Sequence, residues 1–232
     1  MFTFILAASY SACSVNDADF ETCLAKAIED AVNKLKAGEK SLGLPSIDPL
    51  HVDEVSLDLG KGPITLVLDI KDLDVVGLSS TTFKSTKLDR EKRQLIMDCH
   101  TQHLRMDFQY KAGGKILVIA VQGDGPAFFE YDDVNSTHTI SFKPVEKKGK
   151  TYWAVDDYKL DITPGSMKSH FQDLLKGNKA VSDQVNTFLN TEWKQFYQQI
   201  KGPGQDAVSD ILKQFASRVF DRVPVGDIFK DV

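Results

Sequence analysis

The sequence predicts an α+β fold in which a long helix is wrapped by one strongly curved antiparallel sheet. Three observations carry this. Helical periodicity occupies residues 17–36, strand-like runs follow one another from Val52 to Ile162, and two aromatic-rich helical stripes lie between Val181 and Phe220. Some eight strands in one sheet curl strongly. Long apolar helices beside a single curled sheet pack best with the sheet around a helix. That arrangement leaves space for an internal hydrophobic tunnel suited to an apolar guest.

At the N-terminus, Phe2 to Ala8 is a short apolar run followed by Ser9-Tyr10-Ser11-Ala12. This resembles the core and cleavage region of a secretory signal peptide, so residues 1–12 are expected to be a leader and 13–232 one domain. In the following helix, Phe20, Cys23, Leu24, Ala27, Ile28, Ala31, Val32 and Leu35 recur at three- and four-residue spacing, and Gly38 is placed to end it. A bridge between Cys13 and Cys23 would tie the new N-terminus to this helix and stabilise by roughly 2–3 kcal/mol. Cys99 is then left over and reads as a small buried hydrophobe. Leu42 to Pro49, with two prolines and a glycine, reads as a linker.

Strands are expected over Val52 to Leu59, Ile64 to Leu68, Val75 to Leu78, Gln94 to Met97 and Leu104 to Tyr110. Further strands are expected over Lys115 to Gln122, Ala127 to Tyr131, His138 to Phe142 and Tyr152 to Ile162. Turns are expected at Gly60-Lys61-Gly62-Pro63, Ala112-Gly113-Gly114 and Gly123-Asp124-Gly125-Pro126. The run Ile116 to Val121 is apolar on both faces and calls for a strand covered on two sides. Asn135-Ser136-Thr137 is an N-glycosylation acceptor between two strand-like runs. At the end of the chain, Gly202-Pro203-Gly204 is expected to separate the two helical stripes.

The chain has 232 residues, with 28 basic and 33 acidic side chains and a net charge of −5. No block of Lys/Arg dominates, which argues against nucleic acid as a partner. No run of about 20 apolar residues exists to insert stably in a membrane. Catalytic signatures are missing as well: Gly77-Leu78-Ser79-Ser80-Thr81 lacks the final glycine of a hydrolase elbow, and neither Gly-x-Gly opens a helix. Asp98-Cys99-His100-Thr101-Gln102-His103 holds metal-ligating types, but no second ligand cluster follows, so it reads as a polar turn between strands. No metal, cofactor or catalytic residue is expected.

Aromatic residues stand out instead. Phe108, Phe128, Phe142, Trp153, Phe188, Trp193, Phe196 and Phe215 are the candidate walls of an apolar binding space.

The order of motifs resembles the insect takeout and juvenile-hormone-binding protein family, in its takeout-like branch. The matching segments are Cys13 with Phe20-Glu21-Thr22-Cys23-Leu24, Leu42-Gly43-Leu44-Pro45, Ile47-Asp48-Pro49-Leu50 and Asp74-Val75-Val76-Gly77-Leu78-Ser79. Tyr110 to Leu117, Gln122-Gly123-Asp124-Gly125, Leu175 to Trp193 and Phe220 to Phe229 complete the set. The resemblance implies the helix-in-sheet fold, its hydrophobic tunnel, and non-catalytic carriage of a small lipophilic ligand outside cells. The rival expectation is a secreted interaction protein with a filled core, acting on a receptor through its surface.

Overall fold

The computed structural model describes residues 12–59 and 64–231. The expected leader through residue 11 and the expected turn Gly60-Lys61-Gly62-Pro63 lie outside the described residues. Strand β1 (Cys13–Ser14) leads into helix α1 (Phe20–Lys34), and a 3₁₀ turn (Leu35–Ala37) ends at Gly38, whose φ of +83° suits glycine. The strands are β2 (Leu50–Leu59), β3 (Ile64–Val76), β4 (Thr82–Asp89), β5 (Gln94–Ile116), β6 (Ile119–Lys147), β7 (Lys150–Thr163) and β8 (Ser166–Phe171). Helices α2 (Lys179–Thr191), α3 (Trp193–Phe220) and α4 (Val225–Ile228) follow, and β9 (Phe229–Lys230) returns to pair with β1.

Among the described residues β2 to β8 form one antiparallel sheet, ordered β2-β3-β5-β6-β7, with β4 on β5 and β8 on β6. Its spine is the β5–β6 hairpin, which runs from Gln94↔Ser141 to Ile116↔Ile119 without a register shift. Strand β5 alone has 23 residues, a contour of roughly 75 Å at about 3.3 Å per residue, so it must curve within a domain of this size.

Midway, the buried face of this hairpin exchanges. On β5, Leu95, Met97, Cys99 and Thr101 are buried, then Leu104, Phe108, Tyr110 and Ala112. On β6 the same one-residue change separates Phe129 from Val134, at Asp133, which has φ +52°. The exchange divides the interior. A larger core gathers β2, β3, the second half of β5, the first half of β6, and β8. A smaller core gathers β4, the remaining halves of β5 and β6, β7 and α1. Helix α3 serves both: Phe196, Tyr197 and Ile200 are buried in the larger core, while Val208, Leu212 and Ala216 pack against the smaller. The sheet thus wraps the helix as predicted.

Helix side chains hydrogen-bond two sheet edges, and a helix faces a third. Along β8, Asn186 accepts from Phe171 N (2.9 Å) and donates to Phe171 O (2.9 Å), and Asn190 does the same to Ser169 at 2.9 and 2.8 Å. One turn earlier Ser182 accepts from Leu175 N at 3.0 Å. The geometry works because four helical residues rise about 6.0 Å and two strand residues about 6.7 Å. Along β7, Tyr197 donates to Ile162 O (2.6 Å) and Lys213 to Asp156 O (2.7 Å). Strand β4 is faced by α1, with Thr86 donating to Glu21 O at 2.8 Å.

Six expectations are corrected. Ala112-Gly113-Gly114 and Gly123-Asp124-Gly125-Pro126 are not turns but lie inside β5 and β6, where neighbouring strands supply every pairing. Their glycines permit close approach instead: a Cβ on Gly114 would lie 2.2 Å from Thr65 O, and one on Gly123 2.6 Å from Asp173 O. Asp98 to His103 is continuous strand, as is Asn135, paired with His100 on one side and Thr163 on the other. The expected doubly covered strand at Ile116 to Val121 is the hairpin tip, with Leu117 50% and Val118 95% exposed. Lastly, α3 runs through Gly202-Pro203-Gly204, and the break falls at Glu192. Anchors on β7 from both sides of Pro203 hold the helix together: Tyr197 to Ile162 O, Lys201 to Asp161 (2.7 Å) and Gln205 to Asp161 (3.0 Å).

The asparagine contacts give a stability prediction. Asn186→Ala strands the buried N–H and C=O of Phe171, each a loss of about 1–3 kcal/mol. Urea unfolding should show a lower midpoint with the same slope.

Candidate functional site

The larger core is the candidate site. Its lining is aromatic: Phe129 meets Phe108 at 5.4 Å, Phe171 at 5.6 Å and Phe196 at 6.3 Å between ring centroids, and Tyr110 meets Phe171 at 5.1 Å. Strand pleating places these rings inward from β5, β6 and β8, while α3 supplies Phe196. Trp193, Phe188 and Phe215 pack against the same cluster.

Few polar atoms reach this interior, and most are matched. Tyr110 donates to Gln172 O at 2.6 Å. Burial, followed by the Asp161 carboxylate, pushes the Tyr197 phenol up to about 12, and its hydroxyl donates to Ile162 O. Tyr131, 6.4 Å from the Tyr197 ring, is likewise raised by burial and then by Tyr197. Ser169 is the exception. It is 4% exposed, sits on β8 opposite Phe129, and has both main-chain groups taken by Asn190. Its Oγ is the one buried side-chain oxygen or nitrogen among the described residues with no hydrogen-bond partner.

The structure therefore brings Phe108, Phe188, Trp193, Phe196 and Phe215 together in one core. Phe142 and Trp153 belong to the smaller core, in contact with each other at 5.4 Å and with Phe220 and Phe229. Phe128 is in neither: it lies under the Arg105 guanidinium at 4.4 Å, while Arg105 is also bound by Asp107 and Glu130. Sequence reasoning missed Phe129, Phe171, Tyr131 and Tyr197. Strict alternation with Ala127 marks Phe129 rather than Phe128 as the inward residue, and that signal was readable. Cys13 and Cys23 form the expected disulfide. Cys99 is buried in the smaller core, and burial pushes its thiol up to about 12, which keeps it un-ionised. Asn135 is exposed on the outer face, with Lys84 donating to its Oδ1 at 3.1 Å.

Two cavities among the described residues are open grooves. One, about 560 Å³, is polar and lies between β8 and α2 beside His170, Asp183, Asn186 and Asn190. The other, about 340 Å³, lies between the outer edge of β2 and α3 beside Val52, Val55, Pro203, Ala207 and Ile211. No described helix is long and apolar enough to cross a membrane, and no described group of three or more His, Cys, Asp or Glu is placed for a metal ion.

Residues 2–230 match the family model described as haemolymph juvenile hormone binding protein (JHBP). The chain belongs to the JHBP family. The crystal structure of Epiphyas postvittana Takeout 1 matches with a TM-score of 0.83 at 24% identity, covering 94% of this chain and 99% of that one, a likeness of fold. Lipopolysaccharide binding protein matches with a TM-score of 0.34 at 13% identity, covering 82% of this chain and 38% of that one. No curated protein matches by sequence.

The segments that carry the JHBP resemblance are joints of the scaffold. Asp48 accepts from the amides of Gly77 and Ser79, both at 3.0 Å, and from the Ser79 hydroxyl. Arg218 on α3 and Arg222, just beyond its end, donate to Gly43 O and Leu42 O. Gln122 bridges to Leu175, and Phe229 fills the smaller core beside Trp153.

The smaller core also contains a titratable group. His138 lies 2.8 Å from the Tyr158 hydroxyl and 3.0 Å from that of Ser136, and burial depresses its pKa from 6.5 to about 4. The unfolded imidazole takes a proton near pH 6.5, whereas the folded one resists until about pH 4. Its contribution is therefore complete above pH 6.5 and is lost as pH falls toward 4, by up to about 3 kcal/mol. Urea unfolding at pH 7.5 and 4.5 should show this loss, and His138→Gln should remove most of it.

Proposed function

We propose that this protein is a secreted, non-catalytic carrier that holds a small lipophilic molecule in its larger core. The guest class is a juvenile-hormone-like terpenoid, a fatty acid or another long-chain apolar molecule. The observation that carries the reading is Ser169: an unpaired hydroxyl inside an aromatic interior is a place for the polar end of an otherwise apolar guest. JHBP family membership and the Takeout 1 fold support it. Phe108, Phe188, Trp193, Phe196 and Phe215 are the proposed walls. Secretion is supported by the Cys13–Cys23 disulfide, which persists in oxidising compartments, and by the exposed Asn135 acceptor, proposed as glycosylated.

The driving force is desolvation. A chain of about 16 carbons at about 0.8 kcal/mol per methylene yields roughly 13 kcal/mol gross. Ordering and lost translation remove several kcal/mol, which leaves micromolar to nanomolar affinity. Chain length and shape are then read by the walls and the head group by Ser169.

A second reading is favoured by two observations: ring-to-ring contacts occupy both cores, and the Leu117–Val118 tip is exposed. On that reading the protein acts on a receptor through its surface. Native mass spectrometry of protein from secreting cells, before and after organic extraction, separates the two. The carrier shows an extractable adduct of a few hundred daltons. If no adduct is found and fluorescent fatty acids and terpenoids fail to bind at micromolar concentration, the surface reading stands. Ser169→Ala adds a residue-level prediction. It should leave ligand-free stability unchanged or higher, because no hydrogen bond is lost. Affinity for a long-chain alcohol should fall about five- to tenfold, as expected for one neutral hydrogen bond.

A further inference from the structure

Helix side chains hydrogen-bond the outer backbone of β8 and β7, but not that of β2. Among the described residues no hydrogen bond reaches the outer backbone of Leu50–Leu59, although α3 lies alongside. The 340 Å³ groove opens at this seam. Its floor consists of Val52, Val55 and Ile211, and these same side chains pack against the larger core. The groove is thus continuous with the candidate site through side chains alone, with no backbone ladder to break.

The helical wall of the groove includes Pro203, between Gly202 and Gly204. Proline supplies no N–H to the carbonyl four residues back, and the flanking glycines resist bending least. Here α3 is the weakest along its length, and its anchors to Asp161 and Ile162 lie on the opposite, β7 side. The rim is acidic. Glu54 pairs with Lys71 at 3.7 Å, whereas Asp206 and Asp210, also lining the groove, make no ion pair among the described residues. Carboxylates around a narrow mouth slow the approach of an anion and leave a neutral molecule unaffected.

We propose that the seam between β2 and α3 is the entrance to the larger core, opening by flexure of α3 at Gly202-Pro203-Gly204 and selecting uncharged lipophiles, such as esters and alcohols, over carboxylates. This rests on the carrier reading and adds the route and charge class of the guest.

Stopped-flow binding of a fluorescent long-chain alcohol and its matching carboxylate tests it. Glu54 and Asp210, exposed on opposite sides of the groove, are changed together to cysteine and bridged with a bismaleimide; buried Cys99 does not compete. Bridging should slow association and dissociation of the alcohol together by tenfold or more, with Kd held within threefold, relative to the unbridged double variant. Ala207→Trp, which fills the groove, should act in the same sense. Neutralising the rim (Glu54→Gln, Asp206→Asn, Asp210→Asn) should speed association of the carboxylate about tenfold at low salt and leave the alcohol unchanged. If the wild type binds the alcohol and bridging leaves both rates unchanged, the entrance is elsewhere and the carrier reading survives. Carboxylate and alcohol associating equally fast with the wild type would overturn the charge selection. A wild type that binds neither probe overturns the carrier reading, and the entrance with it.

Discussion

A sheet that curves without closing must find partners for the backbone groups along its edges. This requirement organises the molecule. Helix α2 answers it for β8 with asparagine amides, each of which can donate and accept at one strand residue as a neighbouring strand would. Helix α3 answers it for β7 with longer side chains, and α1 faces β4. The helices are therefore more than apolar filler: their polar stripes stop a half-barrel from pairing with other chains. The outer edge of β2 lies beside the same α3 and carries no such bond among the described residues.

The second organising constraint is the exchange of buried face in the β5–β6 hairpin. One pair of strands lines two interiors only because the alternation slips by one residue near Gln102 and Asp133. Helix α3 is long enough to be shared between those interiors, which couples them mechanically. The two interiors differ in how their polar groups are matched. The smaller core pairs its polar groups, as His138 does with Tyr158 and Ser136, whereas the larger leaves Ser169 unmatched.

Much of this was legible in the sequence. Period-3.6 spacing located α1, and the strand block and late helices stood out by composition. Misreadings came where tertiary contact overrides local preference. Gly113, Gly114, Gly123 and Gly125 read as turns because glycine favours them, yet at Gly114 and Gly123 glycine admits another segment of the chain against the strand. Pro203 read as a break because its lost hydrogen bond is visible in sequence, while the anchors on Asp161 and Ile162 are not. The site was half legible. Aromatic enrichment pointed to the proposed walls, but splitting the aromatic residues between two cores required the slip at Asp133, which no local pattern announces. Ser182, Asn186 and Asn190, polar residues one turn apart beside the apolar stripe, were a readable signal of the edge closure.

The match between α2 and β8 also bears on how this chain can vary over time. Side chains one helical turn apart grip strand residues two apart, so the two elements are geared. A single inserted residue in α2 would rotate its amides by about 100° away from their targets, and one in β8 would turn Ser169 and Phe171 to the opposite face. Length change there is tolerable only in whole teeth, a turn of helix against a strand dipeptide. The hairpin tip at Leu117–Val118 is exposed and is geared to no helix among the described residues, so indels in related chains should gather at the tip and avoid the geared pair.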